Sequence, residues 1–269
     1  MSPAAVLALP LAQTGEPFVR DPESSSTGCV AANDTVCLGW AFENFDRYVE
    51  PTLEHLLLVA LSVLFGFLIA FTMTVVSHGR RWIVPIFTGA TGVIYTIPSI
   101  ALFLLLLPIT GRGTTTAVIA LTLYTLQIIY RNIAIGLANV PEATRDAGRG
   151  MGMTSRQLFW RVELPLALPE LVAGLRIATV STVAIATLAV FAGGGGLGQE
   201  IIAGSAITFK TGIVVAGSLA ILMAIVFDVL LLLSQRRLGR WQAVRPVDSP
   251  GRGVGFGERF RRRPAWTGR

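Results

Sequence analysis

Five long apolar stretches, separated by short polar or glycine-containing breaks, organise the chain. The first runs from Leu56 to about Val76 without a charge, and the second follows Arg80 and Arg81, from Trp82 to about Pro108. The third runs from Gly113 through Tyr130 towards Leu137, with Arg131 inside it. The fourth runs from about Leu171 to Phe191 with Arg176 near its start, and the fifth from Thr211 to Leu233 with Asp228 inside it. About twenty apolar residues carry an α-helix across a bilayer. Hydrocarbon offers nothing to satisfy an open backbone, so a spanning segment of this kind is helical. The pattern predicts an all-α integral membrane protein with five transmembrane helices.

Composition agrees. Of 269 residues, 52% are hydrophobic and 14% charged, against roughly a quarter charged in soluble domains. The net charge of +6 alone would suggest nucleic acid, but the basic residues fall mostly on one side of the apolar stretches. With the N-terminus outside, 18 Lys and Arg lie on the inner side and 4 (Arg20, Arg47, Arg112 and Lys210) on the outer side. That asymmetry sets an N-out/C-in orientation. It predicts a multi-pass protein of the cytoplasmic (inner) membrane, with no nucleic-acid partner.

The flanks divide into an extracytoplasmic segment, 1–50, a transmembrane body, 51–240, and a basic cytoplasmic tail, 241–269. Ala4 to Ala12 resembles the apolar core of a signal sequence, but it is short, broken by Pro10 and lacks a basic start; cleavage stays an open alternative. Glu43, Asp46 and Glu50 make the end of the segment acidic. Cys29 and Cys37 are the only cysteines, and both face the oxidising side, where they form a disulfide or stay as two thiols. From Gln235 onward the chain carries ten arginines against Asp248 and Glu258. Its glycine and proline content predicts disorder, and its charge either fixes topology or holds anionic lipid.

The inner loop, 138–170, reads as two short helices. Pro141 suits a first helical turn, so a helix is expected from Pro141 to about Ala147, interrupted by Gly148, Gly150 and Gly152. Thr154 and Gln157 form a capping-box pattern that opens a second helix. Leu158, Phe159 and Val162 give it an apolar face, and Pro165 and Pro169 are expected to end it.

Catalytic chemistry finds little support. No phosphate-binding glycine loop precedes the single lysine, Lys210, which follows Phe209. His55 and His78 sit at opposite ends of the first span, so no metal site is expected. No two carboxylates share a span. Gly193, Gly195 and Gly198 satisfy G-x-G-x-x-G, but they follow a span rather than a strand; a tight re-entrant turn or a close helix approach is expected there. Arg131, Arg176 and Asp228 are the charges in or near spans. Such residues are functional candidates, yet all three lie towards inner ends, where snorkelling is cheap. A structural pair is expected, either Arg131–Asp228 or Arg176–Asp228. In Tyr95-Thr96-Ile97-Pro98-Ser99 a proline inside the second span frees a carbonyl that Thr96 or Ser99 could satisfy. The resulting kink is either a gate hinge or static.

The loop also carries a family resemblance. Membrane subunits of ATP-binding-cassette importers have an inner-loop signature of Glu-Ala-Ala, three residues, Gly, nine residues, then Ile-x-Leu-Pro. Here Asp146-Ala147-Gly148 is followed by three residues, Gly152, nine residues, and Val162-Glu163-Leu164-Pro165. Three positions differ: Asp146 keeps the carboxylate, Gly148 stays small and Val162 stays apolar. The chain further resembles permeases of glycine betaine, carnitine and choline (osmoprotectant) importers. Ile97 to Leu102, Arg131-Asn132, Gly150 to Thr154, Val162 to Pro169 and Gly194 to Gly198 carry that likeness, over roughly residues 51–240. The resemblance implies a type I importer fold whose coupling helix inserts into a groove on a cytoplasmic ATPase. Ala147 and Gly148 would allow close approach, Asp146 would meet donors there, Gly152 would turn the chain, and Leu164-Pro165 would fix its return. It also implies that ATP and magnesium sit on an ATPase dimer and that no cofactor is bound by this chain. A second permease, identical or sister, and an extracytoplasmic binding protein would complete the assembly. The alternatives are an amino-acid or methionine importer of the same class, or a self-sufficient channel or secondary carrier. A membrane-bound enzyme would need clustered His, Asp or Glu, and a bare membrane anchor would not need the loop.

Overall fold

The computed structural model describes Asn33 and residues 36–238, apart from Arg81. Cys29, the region resembling a signal sequence and the basic tail 241–269 lie outside the described residues. A short helix α1 (Leu38–Glu43) and a 3-10 turn (Phe45–Tyr48) lead into α2 (Val49–Ser77). Next come α3 (Ile83–Thr96), α4 (Ser99–Thr110) and α5 (Thr114–Ala138). The loop holds α6 (Glu142–Gly150) and α7 (Ser155–Leu158), and a π-helical turn (Phe159–Glu163) joins α7 to α8 (Leu164–Ala186). A 3-10 segment (Thr187–Ala192), α9 (Leu197–Ala206) and α10 (Lys210–Leu238) complete the order.

α5 is the centre of the bundle and the most enclosed of the long helices. Leu58, Phe103, Leu121 and Val183 belong to one buried cluster, Ala70, Ile129, Ile133 and Leu171 to a second, and Trp40, Tyr48, Leu197 and Phe209 to a third. Small residues let the helices close, as expected where lipid supplies no hydrophobic drive between them. A Cβ on Gly174 would sit 2.4 Å from Asn132 Cβ, and one on Gly66 1.9 Å from Thr125 Oγ1. The outer faces of α2 and α10 stay apolar and exposed, through Leu57, Leu64 and Leu68 and through Ile221, Ile225 and Leu230.

The second apolar stretch departs from expectation. It is two helices, α3 and α4, bent by 97° at the break, rather than one continuous helix with a kink. Pro98 has no N–H to offer, and Ile97 and Pro98 are both extended. The Ile94 carbonyl is instead taken by the Ile97 N–H at 3.2 Å, which closes α3. The Tyr124 hydroxyl, from α5, donates to the Ile97 carbonyl. Thr96 donates back to the Val93 carbonyl at 2.7 Å. The break is therefore held from outside the stretch rather than by Thr96 or Ser99.

Contacts at the two ends show where this pair runs. At one end the α2 residue Glu54 accepts the Gly196 N–H at 2.9 Å, and Gly113, just after α4, donates to the Ala192 carbonyl at 2.8 Å. At the other end His78, just after α2, lies 3.4 Å from Glu163 of the loop. The α3–α4 pair thus connects opposite ends of the bundle.

Two expectations about the loop are corrected. α6 does not stop at Ala147; it continues through Gly148 to Gly150, because Gly148 packs under Leu158 instead of breaking the helix. Pro165 and Pro169 do not end the second helix, since Ser155–Ala192 is one continuous helical run of 38 residues. Pro165 falls in the first turn after the π turn, where the i→i+5 register already displaces the bond that a proline would remove. α9, which the apolar pattern did not signal, follows the glycine run, with Gly193, Gly195 and Gly196 at φ of 76°, 75° and 79°.

Residues before 51 also contact the bundle: Lys210 N–H donates to Asn33 Oδ1 at 3.2 Å. Trp40 meets Phe209 edge-on at 4.7 Å, Cys37 N–H donates to Thr211 Oγ1 at 3.0 Å, and Arg47 Nε pairs with Glu200 at 2.8 Å. Cys37 is buried and disulfide-bonded. These contacts clasp the turn between α9 and α10. Trp40 is 5% exposed, so Trp40→Ala is expected to cost about 3 kcal/mol. Thermal unfolding in detergent, compared with the exposed-site variant Phe42→Ala, measures this.

Candidate functional site

The loop between α5 and α8 is a folded unit. The Pro141 carbonyl accepts the Thr144 and Arg145 N–H groups, at 3.0 and 3.3 Å, which starts α6. Its end is a Schellman closure: Met153 N–H donates to Gly148 at 3.1 Å, and Gly152 N–H to Arg149 at 2.9 Å. Gly152 holds φ of 80° with open space around it, so its role is conformational. Thr154 and Gln157 form the expected capping box, with Thr154 N–H to Gln157 Oε1 at 2.9 Å and Gln157 N–H to Thr154 Oγ1 at 3.3 Å.

α6 has two faces. Ala143, Asp146, Ala147 and Gly150 are exposed, and Met151 beyond them is 70% exposed. Gly148 is buried, and a Cβ there would meet Leu158 Cδ1 at 2.6 Å. Its smallness serves packing inside the loop. Asp146 pairs with Arg149 at 2.9 Å, with both side chains more than half exposed; such a surface pair is weak and easily exchanged. Glu142 accepts from Arg145 and Arg149, and these hydrogen bonds hold its carboxyl below the usual range. With the folded value depressed, the ties are complete at neutral pH and are lost only as pH falls through that lowered value. Val162, Leu164 and Pro165 are half-buried at the return to the bundle.

Sequence reasoning passed over the brace beneath this face. Arg145 donates through Nε to Glu163 at 2.8 Å and through Nη2 to the Leu137 carbonyl at 2.6 Å. The Glu163 side chain is 8% exposed. The available signal was a carboxylate inside Val162-Glu163-Leu164-Pro165, where a membrane helix resumes; a buried charge there requires a partner.

The remaining candidates separate. Arg176 and Asp228 form a two-pronged pair between α8 and α10, with Nη2 to Oδ2 at 2.7 Å. Arg131 is exposed and joins no ion pair among the described residues. Of the two pairings left open, the structure contains Arg176–Asp228. Arg176→Gln or Asp228→Asn is expected to lower the amount of chain in the membrane, and the exchanged pair Arg176→Asp/Asp228→Arg to restore it. Quantitative blotting with an uptake assay reads both; restored chain without restored uptake would give the pair a substrate role. Tyr95 is exposed and meets Tyr124 edge-on at 5.6 Å, beside the Pro98 break. Ser99, half-buried, starts α4.

The membrane-length helices thus carry one folded loop, between α5 and α8. Residues 62–243 match the family described as binding-protein-dependent transport system inner membrane component, and the chain belongs to that family. It is an inner-membrane permease of the ATP-binding-cassette class and is not itself catalytic. Membership implies an ATPase and a binding protein as partners. The carnitine transport permease protein OpuCD of Listeria monocytogenes is 37% identical over 193 residues, covering 70% of this chain and 85% of that one. The osmoprotectant import permease protein OsmW of Salmonella typhimurium is 40% identical over 201 residues, covering 71% and 92%. Among solved structures, the inward-facing MetNI methionine transporter aligns with a TM-score of 0.64 at 24% identity, covering 74% and 97%. That likeness is one of fold.

Proposed function

We propose that the chain crosses the membrane five times, N-out and C-in, and imports osmoprotectants of the glycine betaine, choline and carnitine kind. The α3–α4 pair counts as one crossing because its ends lie at opposite ends of the bundle. The exposed face of α6 carries the proposal: Asp146 and Ala147, with Met151 at the tip, enter a groove on the cytoplasmic ATPase. Gly148 and Gly152 act from behind, by packing and by turning the chain, and Val162, Leu164 and Pro165 anchor the loop to α8. ATP and magnesium are held by an ATPase dimer, and its closure moves the loop as a rigid body. A second permease, identical or sister, completes the pathway, and the bent Tyr95-Thr96-Pro98-Ser99 segment lies along it. Relatives named for carnitine and for osmoprotectants, at 37% and 40% identity, support this substrate class over methionine, for which the likeness is one of fold. A quaternary ammonium group is recognised by aromatic faces, expected mainly on the binding protein.

Proteoliposomes holding the chain, its ATPase and its binding protein test the reading. ATP-dependent uptake of labelled glycine betaine, competed by choline or carnitine and not by methionine, is expected. Methionine uptake would move the chain to the amino-acid branch, and uptake without the ATPase would make it a self-sufficient carrier.

A further inference from the structure

We propose that Glu163 is the joint through which movement of the loop reaches the first long span, α2; this rests on the coupling reading of α6. α2 has no direct covalent link to the loop, since the chain between them passes through α3, α4 and α5. Their meeting is instead made by side chains. One oxygen of Glu163 accepts from Arg145 Nε at 2.8 Å, and the other lies 3.4 Å from His78 Nδ1, at the inner end of α2. The Phe159 ring lies 4.4 Å from the His78 ring, and Trp160 packs 5.9 Å from Phe71 of α2. Arg145 also holds the Leu137 carbonyl, in the last turn of α5, at 2.6 Å.

One buried carboxylate thus gathers α2, α5, α6 and the start of α8. Phe159 and Glu163 bound the π turn; four positions apart they share one face and are buried, while Trp160 and Arg161 are exposed. A push on the exposed face of α6 bears directly on Arg145, which lies in that helix. Its guanidinium is fixed in two directions, so displacement of α6 is shared between α5 and, through Glu163, the base of α2. Glu163, Arg145 and His78 are positioning residues: they contact neither the transported solute nor ATP.

The joint predicts uncoupling rather than loss of assembly. The experiment uses the complete transporter in proteoliposomes and measures ATPase retention, ATP hydrolysis and glycine betaine uptake together. Glu163→Gln keeps the shape and removes the charge. It is expected to retain the ATPase and to hydrolyse ATP within about twofold of wild type. Uptake per ATP is expected to fall at least about fivefold, the lower end of ordinary coupling energies. Because Glu163 is buried, His78→Leu and His78→Lys provide a second arm that leaves the Arg145–Glu163 pair intact. His78→Leu should uncouple, and His78→Lys, which again places an N–H donor beside the carboxylate, should return uptake per ATP towards wild type. Hydrolysis and uptake falling in proportion, or His78→Leu and His78→Lys behaving alike, would overturn the proposal. Failure of the wild-type chain to retain any ATPase would instead overturn the coupling reading, and the two failures are read from different columns of the same experiment.

Discussion

Gly198→Ala is expected to leave little folded chain in the membrane. A Cβ at this position would lie 1.9 Å from the Thr187 carbonyl oxygen and 2.6 Å from its carbon. Both atoms are backbone of the 3-10 segment that ends the long α8 run, so no rotamer change relieves the overlap. Relief requires α9 to lift away from that segment. Leu197, fully buried, would then lose its place in the cluster with Trp40, Tyr48 and Phe209, and the clasp over the α9–α10 turn would open. Overpacking of this kind costs about 3 kcal/mol or more when backbone must shift. In a chain of this size that lowers the unfolding temperature by about 6–12 °C. The yield of monodisperse detergent-extracted chain and its thermal midpoint measure the effect. Gly217→Ala is the control, because no heavy atom lies within 4 Å of a Cβ there. Equal behaviour of the two variants would mean that α9 does not pack against Thr187 as described.

The second large effect concerns the loop alone. Gly152→Val is expected to lower ATPase retention about tenfold while leaving the amount and thermal midpoint of the chain unchanged. The position has φ of 80° and open surroundings, so valine meets no clash and loses only the backbone conformation. A left-handed backbone costs an ordinary residue about 1–2 kcal/mol, more for a β-branched one, and 1.4 kcal/mol is tenfold in an equilibrium constant. Unwinding the Schellman closure would reorient Met151 and the end of α6, while the body of the bundle stays intact. Gly152→Asn, a residue that visits this conformation readily, should retain most of the ATPase. Retention falling equally in both variants would assign the effect to the added side chain and not to the turn.

The comparison of sequence with structure shows which information is local. The long helices were legible because a span announces itself by length and apolarity, and the capping box at Thr154 because its two partners are three residues apart. Pro98 was visible, but the 97° bend depends on Tyr124, a residue of another helix, taking the Ile97 carbonyl. Pro165 was read as a stop because a proline's cost is set by the register around it, and the π turn that precedes it leaves no sequence mark, while Pro169 lies within the continuous helix α8. α9 escaped because ten residues opened by glycines resemble a turn. Gly148 was legible as small, but which surface needed the space was decided by Leu158, ten positions away in the chain. Arg176 and Asp228 are 52 residues apart, and their choice of each other over Arg131 is a matter of helix packing. The Arg145–Glu163 brace was hidden for the same reason, although a carboxylate at the mouth of a membrane helix was a signal that something met it there.

The most direct test of the account is co-purification of the ATPase with wild-type chain and with Ala147→Arg, side by side in mild detergent. Ala147 is exposed on α6, so the arginine disturbs no packing within the chain and alters only the docking face. The account predicts stoichiometric ATPase with the wild type and its loss with Ala147→Arg, at equal amount and thermal midpoint of the two chains. ATPase retained undiminished by Ala147→Arg would contradict docking at this face, and uptake by the wild-type chain with no ATPase present would contradict the account as a whole.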